Sequence, residues 1–347
     1  MKLAVTRRTA LIGMLGLAAA ARAEQLPRAL NQPALKVARP TQAVLQAITQ
    51  ASKRLVAAGE RGLVIYSDDA GKSWTQASVP VSSTLTALRF ADAQLGWAVG
   101  NMGVVLRTED GGASWSKVLD GAAAAQLALK AAPAGQSQDD AQRLVAEGPD
   151  KPLLDLSVSP DGSLLVVGAY GLAFSSNDGG KSWASQMPRL PNPEGLSYYG
   201  LAERHGEALL FGEQGMLLRA ANPAETFTAQ ASPSTGSLFG ALALREGPLL
   251  LLGLRGKLWR STEPGDAWSA VQTPVEASLI AGTQTRDGTV LLAGAAGQLL
   301  QSRDGGQRFQ PLQLPQRFPF TGLTQAADGA LLLVGMRGLL RVDALKS

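Results

Sequence analysis

Short apolar runs alternate with glycine-rich and polar turns along most of the chain. In the first complete unit, apolar residues 55–58 precede a Gly-x-x-Gly turn at residues 59–62, and a second apolar run at residues 63–66 leads into a polar turn at residues 67–74. Apolar runs of this length between turn residues are typical of buried β-strands. The pattern predicts a sheet-building unit, because none of the repeating segments has the 3.6-residue spacing of an amphipathic helix.

The Gly-x-x-Gly turn occurs seven times. Successive copies begin 41 or 44 residues apart, except for one step of 68 residues that contains an insertion. A repeat of about 40 to 45 residues that holds several short strands has the length of one four-stranded propeller blade. We therefore predict an all-β fold, a seven-bladed β-propeller over residues 41–347. The glycine pairs are Gly59/Gly62, Gly100/Gly103, Gly168/Gly171, Gly212/Gly215, Gly253/Gly256, Gly294/Gly297 and Gly335/Gly338.

The turn between the first and second strands of a unit is also recognisable. Asp-Gly pairs, which favour tight hairpins because both residues tolerate positive φ, occur at residues 161–162, 287–288 and 328–329. The equivalent stretch of the fourth unit contains His205, the one histidine of the chain. We interpret His205 as an exposed turn residue rather than as a metal ligand or a general base.

A polar turn of the form Ser/Thr-x-Asp-x-Gly-x-Ser-Trp follows the third strand in three units, and weaker copies follow it in two more. In such a turn a short acidic side chain caps backbone N–H groups, glycine takes the left-handed conformation, and the aromatic ring packs against the sheet. We therefore assign these residues to architecture rather than to catalysis. They are Ser67, Asp69, Gly71 and Trp74, then Asp110, Gly112 and Trp115, then Asp178, Gly180 and Trp183, with Trp268 and Asp304 in the weaker copies.

This turn is the Asp-box, or BNR repeat, which is found in sialidases and in several non-enzymatic propellers. Together with the Gly-x-x-Gly hairpin before it, the turn makes the chain resemble the family of photosystem II stability and assembly factors over roughly residues 40–345. The resemblance implies a non-catalytic scaffold for a membrane protein complex. Members from bacteria without photosynthesis are often found beside transporters of the resistance-nodulation-division type, so such a transporter is the expected kind of partner.

The first 23 residues have the pattern of an export signal. Lys2, Arg7 and Arg8 precede an apolar run at residues 10–21, and Ala21-Arg22-Ala23 forms a small-x-small cleavage site. Residues 6–11 resemble the twin-arginine pattern, so the twin-arginine and general secretory routes both stay open. We predict a signal peptide with its cleavage site after residue 23 and a periplasmic location; the alternative is that the segment stays uncleaved as an anchor.

The net charge and the cysteine content limit the possible binding partners and metal sites. The predicted signal carries four of the 32 basic residues and none of the 28 acidic ones, so the remainder is near neutral and gives no support for nucleic-acid binding. The absence of cysteine excludes disulfides and thiolate metal sites. We expect a monomer without cofactor or metal.

Two segments lie outside the repeat. Blade seven ends after three strand candidates, so we predict that residues 24–40, through the extended stretch 34–38, supply its outer strand and close the ring. The insertion at residues 121–152 holds helix formers at 122–132 and a second short helix at 137–145. In this topology the insertion and the Gly-x-x-Gly turns share one face, opposite the Asp-box turns.

Three arginines occupy Gly-x-x-Gly turns, namely Arg61, Arg255 and Arg337, and Tyr170 occupies a fourth. Guanidinium groups suit bidentate pairing with carboxylates, so these residues are candidates for partner binding. The alternative is that they are ordinary solvated turn residues.

A sialidase-like propeller that binds or cleaves glycans is the second hypothesis. Sialidases need three arginines for the substrate carboxylate, a tyrosine nucleophile with a glutamate partner, and an acid/base aspartate. The nearest match to their Arg-Ile-Pro motif is Arg189-Leu190-Pro191, and Tyr198 and Tyr199 open an inner strand but have no assignable acidic partner. We therefore expect no catalytic activity.

Overall fold

A computed structural model of the chain describes residues 27–159, 161–204, 206–262 and 267–343. Within these residues the chain forms 27 β-strands and two α-helices. The predicted export signal at residues 1–23 and the turn residue His205 lie outside the described residues. No helix in the described part is both long and apolar enough to cross a bilayer.

The strands form seven separate antiparallel sheets, each a meander in chain order. The first strand of every blade contacts the first strand of the next, and the first strand of blade seven contacts that of blade one. The fold is therefore a closed seven-bladed β-propeller, which confirms the prediction from the repeat. The strands of the first four blades are Leu45–Ala51, Arg54–Gly59, Val64–Ser67 and Thr75–Gln76, then Leu85–Phe90, Gly96–Gly100, Val105–Thr108 and Ser116–Leu119, then Leu153–Val158, Leu164–Gly168, Ala173–Ser176 and Ala184–Ser185, then Tyr198–Arg204, Glu207–Gly212, Leu217–Ala220 and Thr228–Ala229.

The core lies between the blades. Second strands are buried almost throughout, because each has a neighbouring blade on both faces. Trp97 of blade two and Phe174 of blade three are fully buried in the cluster that joins these blades. The strands of the last three blades are Leu238–Ala243, Leu249–Gly253, Leu258–Ser261 and Ser269–Val271, then Leu279–Gln284, Val290–Gly294, Leu299–Ser302 and Gln310–Leu312, then Phe320–Gln325, Leu331–Gly335 and Gly338–Val342.

Every first strand contains a β-bulge one residue after its start. A bulge inserts one unpaired residue and redirects its side chain. The two threonines among these residues join adjacent blades, since Thr86 Oγ1 donates to Leu153 O at 2.7 Å and Thr321 Oγ1 donates to Leu45 O at 2.8 Å. The seven bulge residues are Gln46, Thr86, Leu154, Tyr199, Phe239, Ile280 and Thr321.

The predicted closure of blade seven by residues 34–38 is wrong. In the described residues blade seven has three strands, and the N-terminal arm runs along blade one. Ala34 N donates to Val79 O at 3.0 Å, and Gln76 exchanges hydrogen bonds with Val37 N and Leu35 O through its side chain. The cause is Leu30, which is 1% exposed in the core between blades one and two and holds the arm there.

Side-chain packing closes the ring instead. Leu332 and Val334 of blade seven belong to the same buried clusters as Leu45 and Leu55 of blade one. Arg341 Nε also donates to Ala70 O at 3.1 Å across this junction. Closure therefore requires no strand shared between the two ends of the chain.

The insertion forms two helices, α1 (Gly121–Ala131) and α2 (Gln136–Glu147). Asp120 caps α1, because its Oδ1 accepts from Ala123 N at 3.2 Å. Ala124 and Ala128 of α1 are buried against blades two and three. Both helices therefore lie close to their predicted positions.

Candidate functional site

The Asp-box turns use their polar groups internally. Asp69 Oδ1 accepts from Ser67 Oγ, Lys72 N and Ser73 N, and Asp69 Oδ2 accepts from Ser73 Oγ at 2.6 Å. Asp178 makes the same four contacts in blade three. Asp110 and Asp304 repeat most of this network. These carboxylates therefore have little capacity left for a ligand.

Two roles within the Asp-box could not be read from the sequence. The serine at the first position accepts from the glycine, as in Gly71 N to Ser67 Oγ at 2.8 Å. The tryptophan donates from Nε1 to the carbonyl of the same glycine, as in Trp74 to Gly71 O at 3.1 Å. Trp115 and Trp183 repeat this bond with Gly112 and Gly180. The turn of Trp268 lies partly outside the described residues, and the Trp268 ring packs against the core of blades four and five.

Protonation of the Asp-box carboxylates should destabilise the fold in acid. Hydrogen bonds from the Ser182 side chain and backbone lower the pKa of Asp178 to about 2, and those from Ser73 lower the pKa of Asp69. The aspartate pKa in an unfolded chain is about 3.9. A lowered folded-state pKa gives stability that is present above the unfolded value and lost as the pH falls through the folded value, here from about 4 towards 2.

We expect the urea midpoint of unfolding to fall across this window. The fall should be shallower in an Asp178→Asn variant, because asparagine keeps an acceptor oxygen but cannot titrate. A midpoint unchanged between about pH 5 and pH 2.5 would contradict the assignment.

The face of the propeller opposite the Asp-box turns carries the Gly-x-x-Gly turns, the links between blades and the insertion. We call it the hairpin face. Five of the turns hold a non-glycine residue at positive φ, including Arg61 at 54°, Tyr170 at 57° and Arg255 at 55°. Side chains rarely adopt this conformation, which costs roughly 1–3 kcal/mol, and such residues cluster at functional sites. The turns hold these side chains outward in fixed positions.

The candidate arginines are all exposed on this face. Among the described residues, Arg61, Arg255 and Arg337 form no ion pair. Arg61 and Arg337 belong to the adjacent blades one and seven, whereas Arg255 lies in blade five, two blades from Arg337. Arg61 and Arg337 therefore lie in neighbouring blades, and Arg255 lies apart from them.

Apolar side chains share the same turns. Tyr170 is 62% exposed, and Leu254 and Met336, which precede Arg255 and Arg337, are also exposed. Sequence reasoning selected Tyr170 but missed Leu254 and Met336, although each follows a turn glycine directly. Arginine beside an exposed apolar residue is a composition enriched at protein interfaces.

The bulge residues form a second feature near this face. Leu154, Tyr199, Phe239 and Ile280 occupy consecutive blades three to six and are all partly exposed. The Tyr199 and Phe239 rings lie 5.4 Å apart between centroids. Blades seven, one and two have Thr321, Gln46 and Thr86 at this position, so the bulge residues are apolar or aromatic in four consecutive blades and polar in the other three. Sequence periodicity missed this arrangement because a bulge shifts the alternation by one residue.

A groove of about 550 Å³ lies where the insertion meets blade three. Its walls are α1, α2, the turn that carries Tyr170, and the link between blades three and four at residues 187–198. We call it the insertion groove.

The environments of Tyr198 and Tyr199, the two tyrosines considered as nucleophiles, do not lower their pKa values. Burial raises the pKa of Tyr198 to about 12, and burial together with the Glu213 carboxylate raises the pKa of Tyr199. A raised pKa keeps the phenol protonated, which opposes nucleophilic attack. Arg189, the nearest match to the sialidase motif, lies in a 3-10 turn of the link between blades three and four. The described residues contain no group of three acidic or histidine side chains placed to hold a metal ion.

Comparison with known proteins agrees with this architecture. The model of the family described as photosynthesis system II assembly factor YCF48 matches residues 71–131, which begin within the Asp-box of blade one and include blade two and α1. The chain is thus a seven-bladed propeller with Asp-box turns that resembles the photosystem II assembly factors, as the sequence motifs predicted. A search of curated proteins found no match by sequence.

Solved structures show the same fold. YCF48 bound to a D1 peptide is 20% identical with a TM-score of 0.64, and the match covers 90% of this chain and 99% of that one. YCF48 from Cyanidioschyzon merolae is 16% identical with a TM-score of 0.65, covering 90% and 98%. A streptogramin B lyase is 13% identical with a TM-score of 0.66, covering 90% and 97%. At such identities the likeness establishes the fold, which serves both binding proteins and an enzyme.

Proposed function

We propose that this chain is a non-catalytic scaffold or assembly factor that binds a membrane protein complex through its hairpin face. The family match over residues 71–131 supports the assembly role. A structural relative holds a D1 peptide, which supports a peptide segment of a membrane protein as the bound element. The export pattern of residues 1–23 adds a periplasmic location to the proposal, and the mature form that we propose is a monomer.

The contrast between the two faces carries this proposal. The Asp-box carboxylates are bonded within their own turns, whereas Arg61 and Arg337 are exposed and form no ion pair within the described residues. Met336, next to Arg337 in the chain, is exposed as well. Arginine pairs well with carboxylates, so the expected contact is an acidic, partly apolar segment. A transporter of the resistance-nodulation-division type is the partner that we propose to test first.

Affinity capture from detergent-solubilised membranes of the source cells tests the proposal. We expect the mature chain to recover an integral membrane protein and to show no turnover of a fluorogenic sialoside. Recovery of soluble proteins alone would contradict the scaffold function, and sialoside turnover would favour the glycosidase hypothesis.

A further inference from the structure

We propose that the insertion groove is a second binding site, which takes a short peptide segment that carries lysine or arginine between apolar residues. The groove is on blade three, away from the arginine turns of blades one and seven. The proposal extends the proposed function. The arginine turns would bind an acidic segment, and the insertion groove on the same face would bind a basic one. The volume of the groove, the charges of its walls and the aromatic ring at its edge together support this type of ligand.

The groove is large enough and apolar enough for side chains to enter. Its volume of about 550 Å³ falls in the range of roughly 300–1,000 Å³ that is typical of ligand sites. Ala128, Leu144, Leu172 and Met187 form its apolar lining. The capped α1, packed through Ala128 on the propeller, makes this wall a fixed part of the fold. A preformed wall lowers the entropic cost of binding.

The walls carry an excess of negative charge. Arg143 pairs with Asp140 at 3.5 Å, which leaves neither charge free. Lys151 pairs with Glu147 at 2.9 Å, so these two lining charges offset each other. Glu194, on the opposite wall, forms no ion pair within the described residues. The groove therefore favours a cationic ligand over an anionic one.

Tyr170 adds a surface for a cation. Its ring is 62% exposed at the edge of the groove, and Lys151 Nζ lies 5.5 Å from the ring centroid. Cations bind the faces of aromatic rings within about 6 Å of the centroid. Lys151 already lies over this ring, and the exposure of Tyr170 leaves further aromatic surface open to a ligand cation.

Tyr198 forms part of the buried floor of the groove. The residue is fully buried, lines the groove, and its oxygen has no hydrogen-bond partner at bonding geometry. The nearby Asn192 amide already donates from Nδ2 to Leu196 O and accepts from Leu196 N. A peptide with basic and apolar side chains therefore matches the apolar lining of the groove, the carboxylates of its walls and the aromatic ring at its edge.

Fluorescence anisotropy with synthetic peptides tests the proposal on the mature chain. The probe is an eight-residue labelled peptide of alternating leucine and lysine, compared with one of leucine and glutamate and one of serine and lysine. We expect the leucine-lysine peptide to bind at least about tenfold more tightly than either control, with affinity that falls as salt is added. Glu194→Lys should weaken binding at least about fivefold, since it reverses the free charge of one wall.

Glu246→Lys is the matched control, because it makes the same charge change at an exposed site on the opposite face. Equal binding of the glutamate peptide, no effect of Glu194→Lys, or an equal effect of Glu246→Lys would each overturn the proposal. Arg61→Glu with Arg337→Glu should leave probe binding unchanged. Failure of this site would therefore be separate from failure of membrane protein capture.

Discussion

Trp97→Ala should lower the free energy of unfolding by about 3–5 kcal/mol, the usual cost of removing a large buried aromatic side chain. Trp97 is 0% exposed and lies in the cluster that joins blades two and three. Its ring reaches the Asp-box turn of blade three, where a Cβ added to Gly180 would lie 3.1 Å from Trp97 Nε1. The substitution therefore opens a cavity under the neighbouring blade and removes support from its turn.

Trp97→Phe is the matched control. Trp97 Nε1 is buried without a hydrogen-bond partner, so phenylalanine removes an unpaired donor while it keeps an aromatic ring in place. We expect its cost in urea unfolding, followed by circular dichroism, to be well below that of the alanine variant. An alanine variant within about 1 kcal/mol of the parent would show that the blades do not depend on this contact.

Gly256→Ala should be among the most damaging single substitutions in the turns of the hairpin face. A Cβ at this position would lie 1.9 Å from Val275 O, and φ is +71°. The positive φ costs a residue with a Cβ roughly 1–2 kcal/mol. Displacement of the Val275 backbone adds an overpacking cost of roughly 1–3 kcal/mol. The sum is about 2–5 kcal/mol.

Gly288→Ala separates the two costs. Gly288 has a similar φ of +90°, but a Cβ there would meet nothing within 4 Å. This variant should lose only the conformational part, about 1–2 kcal/mol. If both variants unfold at the same urea concentration, the close approach of the turn to the link between blades five and six is not important for stability.

Much of the fold was predictable because the repeated turns and strands are determined by interactions between residues that are close in the sequence. Gly-x-x-Gly turns, Asp-Gly hairpins and apolar second strands each recur at a fixed spacing, and each determines its structure within a few residues. The Asp-box turn around Asp178 is such a case, because all its hydrogen bonds to side chains and backbone lie within eight residues. Seven similar units then determine the closed ring.

The path of the N-terminal arm and the contact between the bulge residues Tyr199 and Phe239 could not be predicted in this way. The arm is held on blade one by the burial of Leu30 and by hydrogen bonds between segments that are distant in the sequence, and such contacts have no periodic signal. Tyr199 and Phe239 meet because each occupies a bulge, which strand alternation does not reveal. The insertion groove likewise depends on how α2 lies over blade three, which helix propensity does not specify.

The recovery of membrane protein by charge-reversed variants tests the central claim most directly. We expect Arg61→Glu with Arg337→Glu to reduce recovery at least about tenfold, equivalent to about 1.4 kcal/mol, from the loss of charge-assisted contacts. Lys72→Glu with Lys181→Glu makes the same number of reversals at exposed positions of the Asp-box face and should leave recovery unchanged. Equal losses for both pairs, or a loss for the lysine pair alone, would contradict the assignment of binding to the hairpin face.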